Sequence, residues 1–206
     1  LIINDLTVDR ILTKLPEFEE CQHNTLIVNR LYPISNFKYQ TYDIINTHAL
    51  PMLKDNYPIR QFAYWRADTQ EELESICHQL VQTEHRSLVI KPFSASVGAG
   101  IGFLHAGTDH VHIQQCIEQS IAEAQTYSKN MANIFPYTIC EFVETALVDF
   151  PDVDVFNRKF DIRVAVVRNN GGLQGIPAAI KLASQEYDNQ SFYREGLQTN
   201  TLRVSQ

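Results

Sequence analysis

The sequence predicts an α+β (mixed α/β) fold from three observations. Helical and strand patterns alternate along the chain, and short turn signals between strands favour antiparallel pairing. The composition is that of a globular protein, with 44% hydrophobic and 20% charged residues. A length of 206 residues is enough to bury a core, either in one domain or in two small lobes that share a cleft.

Charge and cysteine usage exclude several classes of protein. The 17 basic and 24 acidic residues give a net charge of −7, which argues against nucleic acid as a partner because phosphate-backbone binders cluster Lys and Arg. No run of 18 apolar residues is present, so a membrane is not expected as a partner either. The four cysteines are widely spaced, which indicates reduced thiols and a cytoplasmic protein.

The first half of the chain contains both helical and strand patterns. A capping box at Thr69 and Glu72 opens a helix whose apolar face continues to Val81. The other elements predicted here are a strand at 25–31, a helix at 39–53 broken by Pro51, and an aromatic strand at 59–65.

The second half begins with a strand at 87–91, followed by a small-residue loop at 94–102. A short strand to residue 105, an amphipathic helix at 113–127, a strand at 137–143 and an acidic loop at 149–154 follow. Asp109, within the cluster of His105, His110 and His112, is interpreted as a helix-entry residue rather than a metal ligand.

Two strands at 159–168 and 173–183 flank the sequence Asn-Asn-Gly-Gly, which is a strong hairpin signal. A three-residue loop, 170–172, is predicted because a two-residue loop would pair Asp161 with Ile180 and mismatch the faces.

The predicted register pairs Asp161 with Lys181 and Arg163 with Ala179. Since strand residues alternate between faces, Asp161, Arg163 and Lys181 then cluster on one wall of the hairpin. The alternative is a charged triplet on a solvated sheet face.

Lys91 closes an apolar strand and precedes a loop rich in Ser, Ala and Gly. Small residues let backbone amides approach phosphate oxygens, and the ammonium group supplies charge. The order of residues differs from a Walker A loop, from a dinucleotide-binding turn and from a protein-kinase glycine loop. A plain tight hairpin remains the alternative.

Taken together, these segments resemble the ATP-grasp superfamily, because several short motifs occur in the family's order. The similar segments are Asn36-Phe37-Lys38 (first phosphate lysine), Leu88-Val89-Ile90-Lys91-Pro92 (second lysine strand), Cys140-Glu141-Phe142-Val143 (adenine hinge) and Phe160-Asp161-Ile162-Arg163. The last is similar to a strand motif of the ribosomal-protein glutamate ligases and the tubulin tyrosine ligase-like enzymes. The second of these branches also has a Thr-Asn motif like Thr199-Asn200.

The resemblance implies two small lobes with antiparallel sheets enclosing a nucleotide cleft, and ATP as the cofactor. It implies catalytic roles for Arg163 and Lys181, which would stabilise the transferred phosphoryl group. The residues that it implies for ATP binding are Lys38, Lys91, Ser94, Ser96, Gly98, Glu141, Phe142, Val143, Asp161 and Asn200.

The resemblance also implies a domain plan: a segment at 1–66 before the ATP-grasp lobes, a small lobe at 67–136 and the start of a second lobe at 137–206. Family members hold Mg²⁺ with a late Asp or Glu and a Glu-x-Asn motif. No Glu-x-Asn follows Thr199, so we expect the Mg²⁺ ligands to lie beyond residue 206 or to be missing.

The function implied is an ATP-dependent ligase that activates a carboxylate as an acyl phosphate and joins it to an amine. Its partners would be ATP and a carboxylate substrate or a peptide or protein acceptor. The alternatives are a non-catalytic nucleotide-binding or interaction domain, and an ATP-grasp small-molecule kinase.

Overall fold

The computed structural model describes residues 2–3, 26–27, 38–53, 61–93, 98–127, 134–169, 172–187 and 199–200. The chain divides into two compact units, Leu1–Phe142 and Val143–Gln206. Helices and antiparallel sheets occur together, which confirms the predicted α+β class. In the part of the chain that the structure describes, no helix is long and apolar enough to cross a membrane.

The first unit contains a four-stranded antiparallel sheet in the order β3-β6-β4-β5. Its strands are β3 (Tyr64–Ala67), β4 (Leu88–Lys91), β5 (Gly102–Leu104) and β6 (Tyr137–Glu141). Its helices are α1 (Lys38–Ile44), α2 (Leu50–Leu53), α3 (Gln70–His78) and α4 (His110–Tyr127). A short parallel pair, β1 (Ile2–Ile3) and β2 (Leu26–Ile27), also belongs to this unit.

One face of this sheet forms the hydrophobic core with α3 and α4. Leu88 and Ile90 of β4 are fully buried there, because alternate residues of a strand point to the same face. The other fully buried members of this core include Ala67, Leu73, Cys77, Val81, Ile113, Ile117, Tyr137 and Ile139.

Helix α1 lies against the opposite face of the sheet. The ring of Tyr39 meets that of Tyr64 edge-on at a centroid distance of 5.3 Å, and Tyr42 also packs against Tyr64. Tyr64 pairs with Cys140 in the register of β3 and β6, so Cys140 belongs to this same face. Residues on this face therefore lie between the sheet and α1.

The predicted interruption of the first helix at Pro51 is wrong. The helical path runs from α1 through a π-helical turn, Ile45–Ala49, directly into α2, where Pro51 lies. In this turn the amide of Leu50 donates to the carbonyl of Ile45, so the hydrogen-bond pattern widens just before the proline. Such turns let a helix absorb a residue without an N–H. Met52, which follows this proline, is 79% exposed, although its apolar side chain would favour burial.

The capping box at Thr69 forms with one change. The Thr69 hydroxyl accepts from the Glu72 amide at 3.2 Å, as predicted. The Glu72 carboxylate, however, accepts from the amide of Asp68 at 2.7 Å rather than from that of Thr69. At the start of α4, the Asp109 carboxylate accepts from the His112 amide at 3.0 Å, which confirms Asp109 as the helix-entry residue.

Two predicted boundaries need correction. Within the described residues the aromatic strand begins at Tyr64, since residues 61–63 are not in a strand, and residues 59–60 of the predicted strand lie outside the described part of the chain. The acidic segment 149–154 is not simply a loop: Asp149 lies in β7 (Leu147–Phe150), and a 3₁₀ turn, Pro151–Val153, follows. An extended backbone lets Asp149 accept from the Asn157 amide at 2.8 Å.

The second unit is a four-stranded antiparallel sheet in the order β10-β9-β8-β7. Its centre is the predicted hairpin, formed by β8 (Val155–Asn169) and β9 (Gly172–Ala183), with β10 (Thr199–Asn200) at one edge. Phe160 pairs with Leu182 and Ile162 with Ile180, so these four apolar residues share one face of the hairpin.

The hairpin register confirms both predicted charge-face pairings, Asp161 with Lys181 and Arg163 with Ala179. The predicted three-residue loop is wrong, because Asn169 pairs with Gly172 and only two residues separate them. A β-bulge between Arg163 and Val164 absorbs the difference by adding one residue to β9. The bulge lets a two-residue turn coexist with matched faces.

Gly100 ends the glycine-containing loop in a place that only glycine fits. Its φ is +68°, a conformation that costs other residues energy. A Cβ atom there would lie 2.8 Å from the carbonyl oxygen of Ser120 and 2.9 Å from Cβ of Ala124, both on α4. The Ser120 hydroxyl also donates to the Gly100 carbonyl. The loop is thus packed directly onto α4.

We expect Gly100→Ala to destabilise the protein more than Gly107→Ala. Gly107 also has a positive φ of +80°, but its Cβ would meet nothing within 4 Å. The control should therefore lose about 1–2 kcal/mol from backbone strain alone, and Gly100→Ala about 1–3 kcal/mol more from overpacking. Urea denaturation measures both losses. Equal losses would contradict close packing at Gly100.

Candidate functional site

Two lysines that are far apart in sequence meet at the end of β4. Lys38 is the first residue of α1, and its Nζ donates to the carbonyl oxygen of Pro92 at 3.2 Å. Pro92 directly follows Lys91, the last residue of β4. The predicted pair Lys38 and Lys91 is therefore brought to one place within the first unit.

Lys91 is tied to the same helix. Its Nζ donates to the Tyr42 hydroxyl at 2.8 Å and lies 5.3 Å from the centre of the Tyr42 ring. Tyr42 follows Lys38 by four residues, so both occupy the same face of α1. Lys91 reaches this helix because alternation places it on the sheet face opposite to buried Ile90.

The electrostatics of this place favour an anion. Burial and, secondly, the nearby charge of Lys91 lower the pKa of Lys38, whereas Cys140 acts in the opposite direction. Burial raises the pKa of the Cys140 thiol, an effect opposed by Lys91, by a hydrogen bond to Tyr42 and by Lys38. A bound anion would relieve the repulsion between the two ammonium groups. We call Lys38, Tyr42, Lys91 and Cys140 the lysine cluster.

The glycine-containing loop follows the lysine cluster in sequence. Ser94 and Ser96 lie outside the described residues. Gly98 has a φ of +79° and its carbonyl accepts from the Ile101 amide at 3.3 Å, which makes a tight turn. The amide of Gly100 donates to the Glu123 carboxylate at 3.2 Å, so this amide is used to hold the loop on α4.

The predicted hinge residues are held by backbone bonds at the end of β6. The Glu141 amide donates to the Ala63 carbonyl at 2.9 Å, and its carboxylate accepts from the Ala63 amide at 3.3 Å. The Phe142 amide donates to the Ser87 carbonyl at 2.8 Å. These two amides are therefore engaged by the fold. Val143, which is 39% exposed, begins the second unit.

The second unit contains the remaining predicted residues. Asp161 is exposed and pairs in register with Lys181, which is half-buried. Arg163 occupies the next position on the same strand face, opposite Ala179. Asn200 pairs with Leu182, one register position away from Lys181.

The second unit also contains a charged group that the sequence did not reveal. Lys159 is only 4% exposed, and its Nζ donates to the Glu144 carboxylate and, at 2.7 Å, to the Thr145 carbonyl. It also lies 4.1 Å from the centre of the Tyr187 ring, whose hydroxyl donates to Glu144 at 3.3 Å. Strand alternation puts Lys159 on the face of Asp161, but it does not predict the burial of Lys159, which depends on these tertiary contacts. Pairing satisfies a charge that would otherwise be costly to bury.

We find no fit for a metal ion among the described residues, where no group of three or more His, Cys, Asp or Glu side chains lies close enough to hold one. We therefore assign no Mg²⁺ ligands and derive no step through a metal.

No protein-family model and no curated protein sequence matches this chain. Among solved structures, it is similar to D-alanyl-alanine synthetase A from Vibrio cholerae O1 biovar eltor, with 13% sequence identity and a TM-score of 0.34. The similarity covers 73% of this chain and 38% of that one. This chain therefore spans well under half the length of that enzyme.

The lowered pKa of Lys38 predicts a pH-dependent penalty on folding. Between that lowered value and the ordinary pKa of 10.5, the unfolded state holds more protons than the folded state. Stability should therefore rise with pH in this window, relative to a Lys38→Met variant. Urea midpoints at pH 7, 8, 9 and 10 measure the difference between the two proteins.

Arg86→Met is the matched control, because it also removes one positive charge but an arginine keeps its charge throughout this range. The difference between this control and the original protein should stay flat with pH. A flat or falling difference for Lys38→Met would contradict the burial and charge repulsion assigned to Lys38.

Proposed function

We propose that this chain binds ATP and forms part of an ATP-dependent carboxylate–amine ligase of the ATP-grasp type. The observation that carries the proposal is the meeting of Lys38 and Lys91 at the end of β4, which the glycine-containing loop follows in the sequence. A polyphosphate supplies both the negative charge and the acceptor oxygens that two neighbouring ammonium groups favour.

The proposed chemistry has two steps. A carboxylate oxygen of the substrate attacks the γ-phosphorus of ATP, and the bond to ADP breaks to leave an acyl phosphate. An amine then attacks the acyl carbon, phosphate leaves and the amine nitrogen loses a proton. Both steps depend mainly on alignment and on neutralising charge at the transferred group.

Phosphate binding is assigned to the first unit. Lys38 and Lys91 are proposed to bind the phosphate oxygens of ATP, and Ser94, Ser96 and Gly98 to form the loop over them. Glu141, Phe142 and Val143 are proposed to lie along the adenine. The amides of Glu141 and Phe142 are already engaged by the fold, so these two amides are not among the groups proposed to contact adenine.

Charge neutralisation at the reacting group is assigned to the second unit. Arg163 and Lys181 are proposed to stabilise the transferred phosphoryl group, and Asp161 to lie near the ribose. Their common strand face and the pairing of Asp161 with Lys181 support this assignment. Asn200 is proposed to take part through the Thr-Asn motif.

The finer assignments rest on the sequence motifs. The run Arg158-Lys159-Phe160-Asp161-Ile162-Arg163-Val164 is especially like the tubulin tyrosine ligase-like branch. Both branches that this strand motif resembles are named for protein substrates, so we propose a peptide or protein acceptor. We propose a cytoplasmic enzyme that uses Mg²⁺ with ATP. We also propose the domain plan of 1–66, 67–136 and 137–206.

ATP at about 100 times its Kd should stabilise the folded protein by about 2.7 kcal/mol. For a chain of this size that corresponds to a Tm increase of roughly 5–10 °C. Lys91→Ala should remove most of this shift, because one of the two ammonium groups is lost. Differential scanning fluorimetry with ATP and with a non-hydrolysable analogue measures it.

Arg86→Ala controls for the loss of one positive charge, since Arg86 pairs with Glu84 at the surface, and it should keep the full shift. The absence of a shift in the original protein would contradict the proposal. Where ATP binds, hydroxylamine should trap the acyl phosphate as a hydroxamate when the full-length protein is supplied with a carboxylate substrate. In the full-length protein, binding without release of ADP or phosphate would favour the non-catalytic nucleotide-binding domain.

A further inference from the structure

The Tyr42 hydroxyl occupies a central place in the lysine cluster. It accepts from Lys91 Nζ at 2.8 Å, and it is also among the groups that lower the pKa of the nearby Cys140 thiol against the effect of burial. An oxygen that accepts from an ammonium group must direct its own proton elsewhere. The contact with Lys91 therefore restricts the orientation of the hydroxyl.

The ring of Tyr42 is fixed by aromatic packing. It meets Phe62 edge-on, with centroids 5.0 Å apart and planes at 87°, and it contacts Tyr64 at 6.0 Å. Tyr64 is itself anchored to α1, since its hydroxyl donates to the Asp43 carboxylate at 3.0 Å. A ring held in this way keeps its hydroxyl at a constant place beside the end of β4.

Lysine needs such an anchor more than arginine does. Its ammonium group ends a flexible four-carbon chain, so holding it in one orientation costs rotamer entropy. An acceptor fixed before the ligand arrives reduces that cost at the moment of binding. Lys38 gains a comparable anchor from the Pro92 carbonyl.

We propose that Tyr42 is a positioning residue whose hydroxyl holds the Lys91 ammonium group toward a bound anion. This inference rests on the proposed function for the identity of that anion, the phosphates of ATP. Tyr42 acts through Lys91 and not on the reacting atoms. The sequence pattern gives Tyr42 only as a residue of the helix predicted at 39–53, so this role comes from the three-dimensional contacts.

Tyr42→Phe tests the proposal because it keeps the packed ring and removes only the hydroxyl. The Kd for ATP, measured by isothermal titration calorimetry, should rise about 3- to 10-fold. Tyr39→Phe is the matched control. It removes a hydroxyl one turn earlier on the same helix, from a ring that packs on Tyr64, and should leave the affinity unchanged.

A second readout needs no nucleotide. In the NMR spectrum of the original protein, the two Hε protons of a held Lys91 should have different chemical shifts. Tyr42→Phe should bring these shifts together, because the side chain gains rotamer freedom, whereas Tyr39→Phe should not. A purely structural Tyr42 would leave the Lys91 signals unchanged at equal Tm.

The ATP affinity and the Lys91 NMR signals together distinguish a failure of the positioning role from a failure of the proposed function. An unchanged Lys91 signal in Tyr42→Phe would overturn the positioning role, as would an unchanged Kd with a disordered Lys91. A disordered Lys91 in Tyr42→Phe, in a protein that binds no ATP even without substitution, would confirm that Tyr42 orients Lys91 and contradict the proposed function instead.

Discussion

The antiparallel pairing of β4 with β6 is the constraint on which the lysine cluster depends. It fixes Leu88 and Ile90 toward the core with α3 and α4, and strand alternation then sends Lys91 to the opposite face. The same register places Cys140 on that face. A shift of one residue would bury the ammonium group in the apolar core, so the packing of this sheet and the place of Lys91 are specified together.

Helix α1 turns this geometry into a candidate binding site. Its tyrosines pack on the sheet face that carries Lys91, and this packing also brings Lys38 to the Pro92 carbonyl. Burial and repulsion from Lys91 then disfavour the charge of Lys38. Such an arrangement costs stability in the free protein and favours a bound anion. It is therefore more readily explained by ligand binding than by folding alone.

The sequence allowed prediction of the elements with strong periodicity. Helices α3 and α4 and strands β4 and β6 appear close to their predicted bounds, because a regular apolar pattern dominates their local choices. Prediction failed at two local irregularities. The π-helical turn before Pro51 lets the helix continue where a proline was expected to interrupt it. The bulge after Arg163 lets a two-residue turn keep the strand faces matched, where a three-residue loop was expected, and neither irregularity has a clear sequence pattern.

The candidate site was predictable only in part for a related reason. The pairing of Asp161 with Lys181 follows from strand alternation, although the turn that produces it is one residue shorter than expected. The contact of Tyr42 with Lys91 joins residues 49 positions apart, and the burial of Lys159 depends on Glu144 and Tyr187. Contacts of this kind arise from tertiary packing, which no local pattern encodes.

The central claim is that Lys38 and Lys91 form one anion site. The most direct test is an NMR titration that follows the Hε–Cε signals of both lysines, assigned with Lys→Arg variants, as ADP is added. The two signals should shift along a single binding curve with one Kd. Movement of only one lysine, two different Kd values, or no movement at saturating ADP would contradict a shared site.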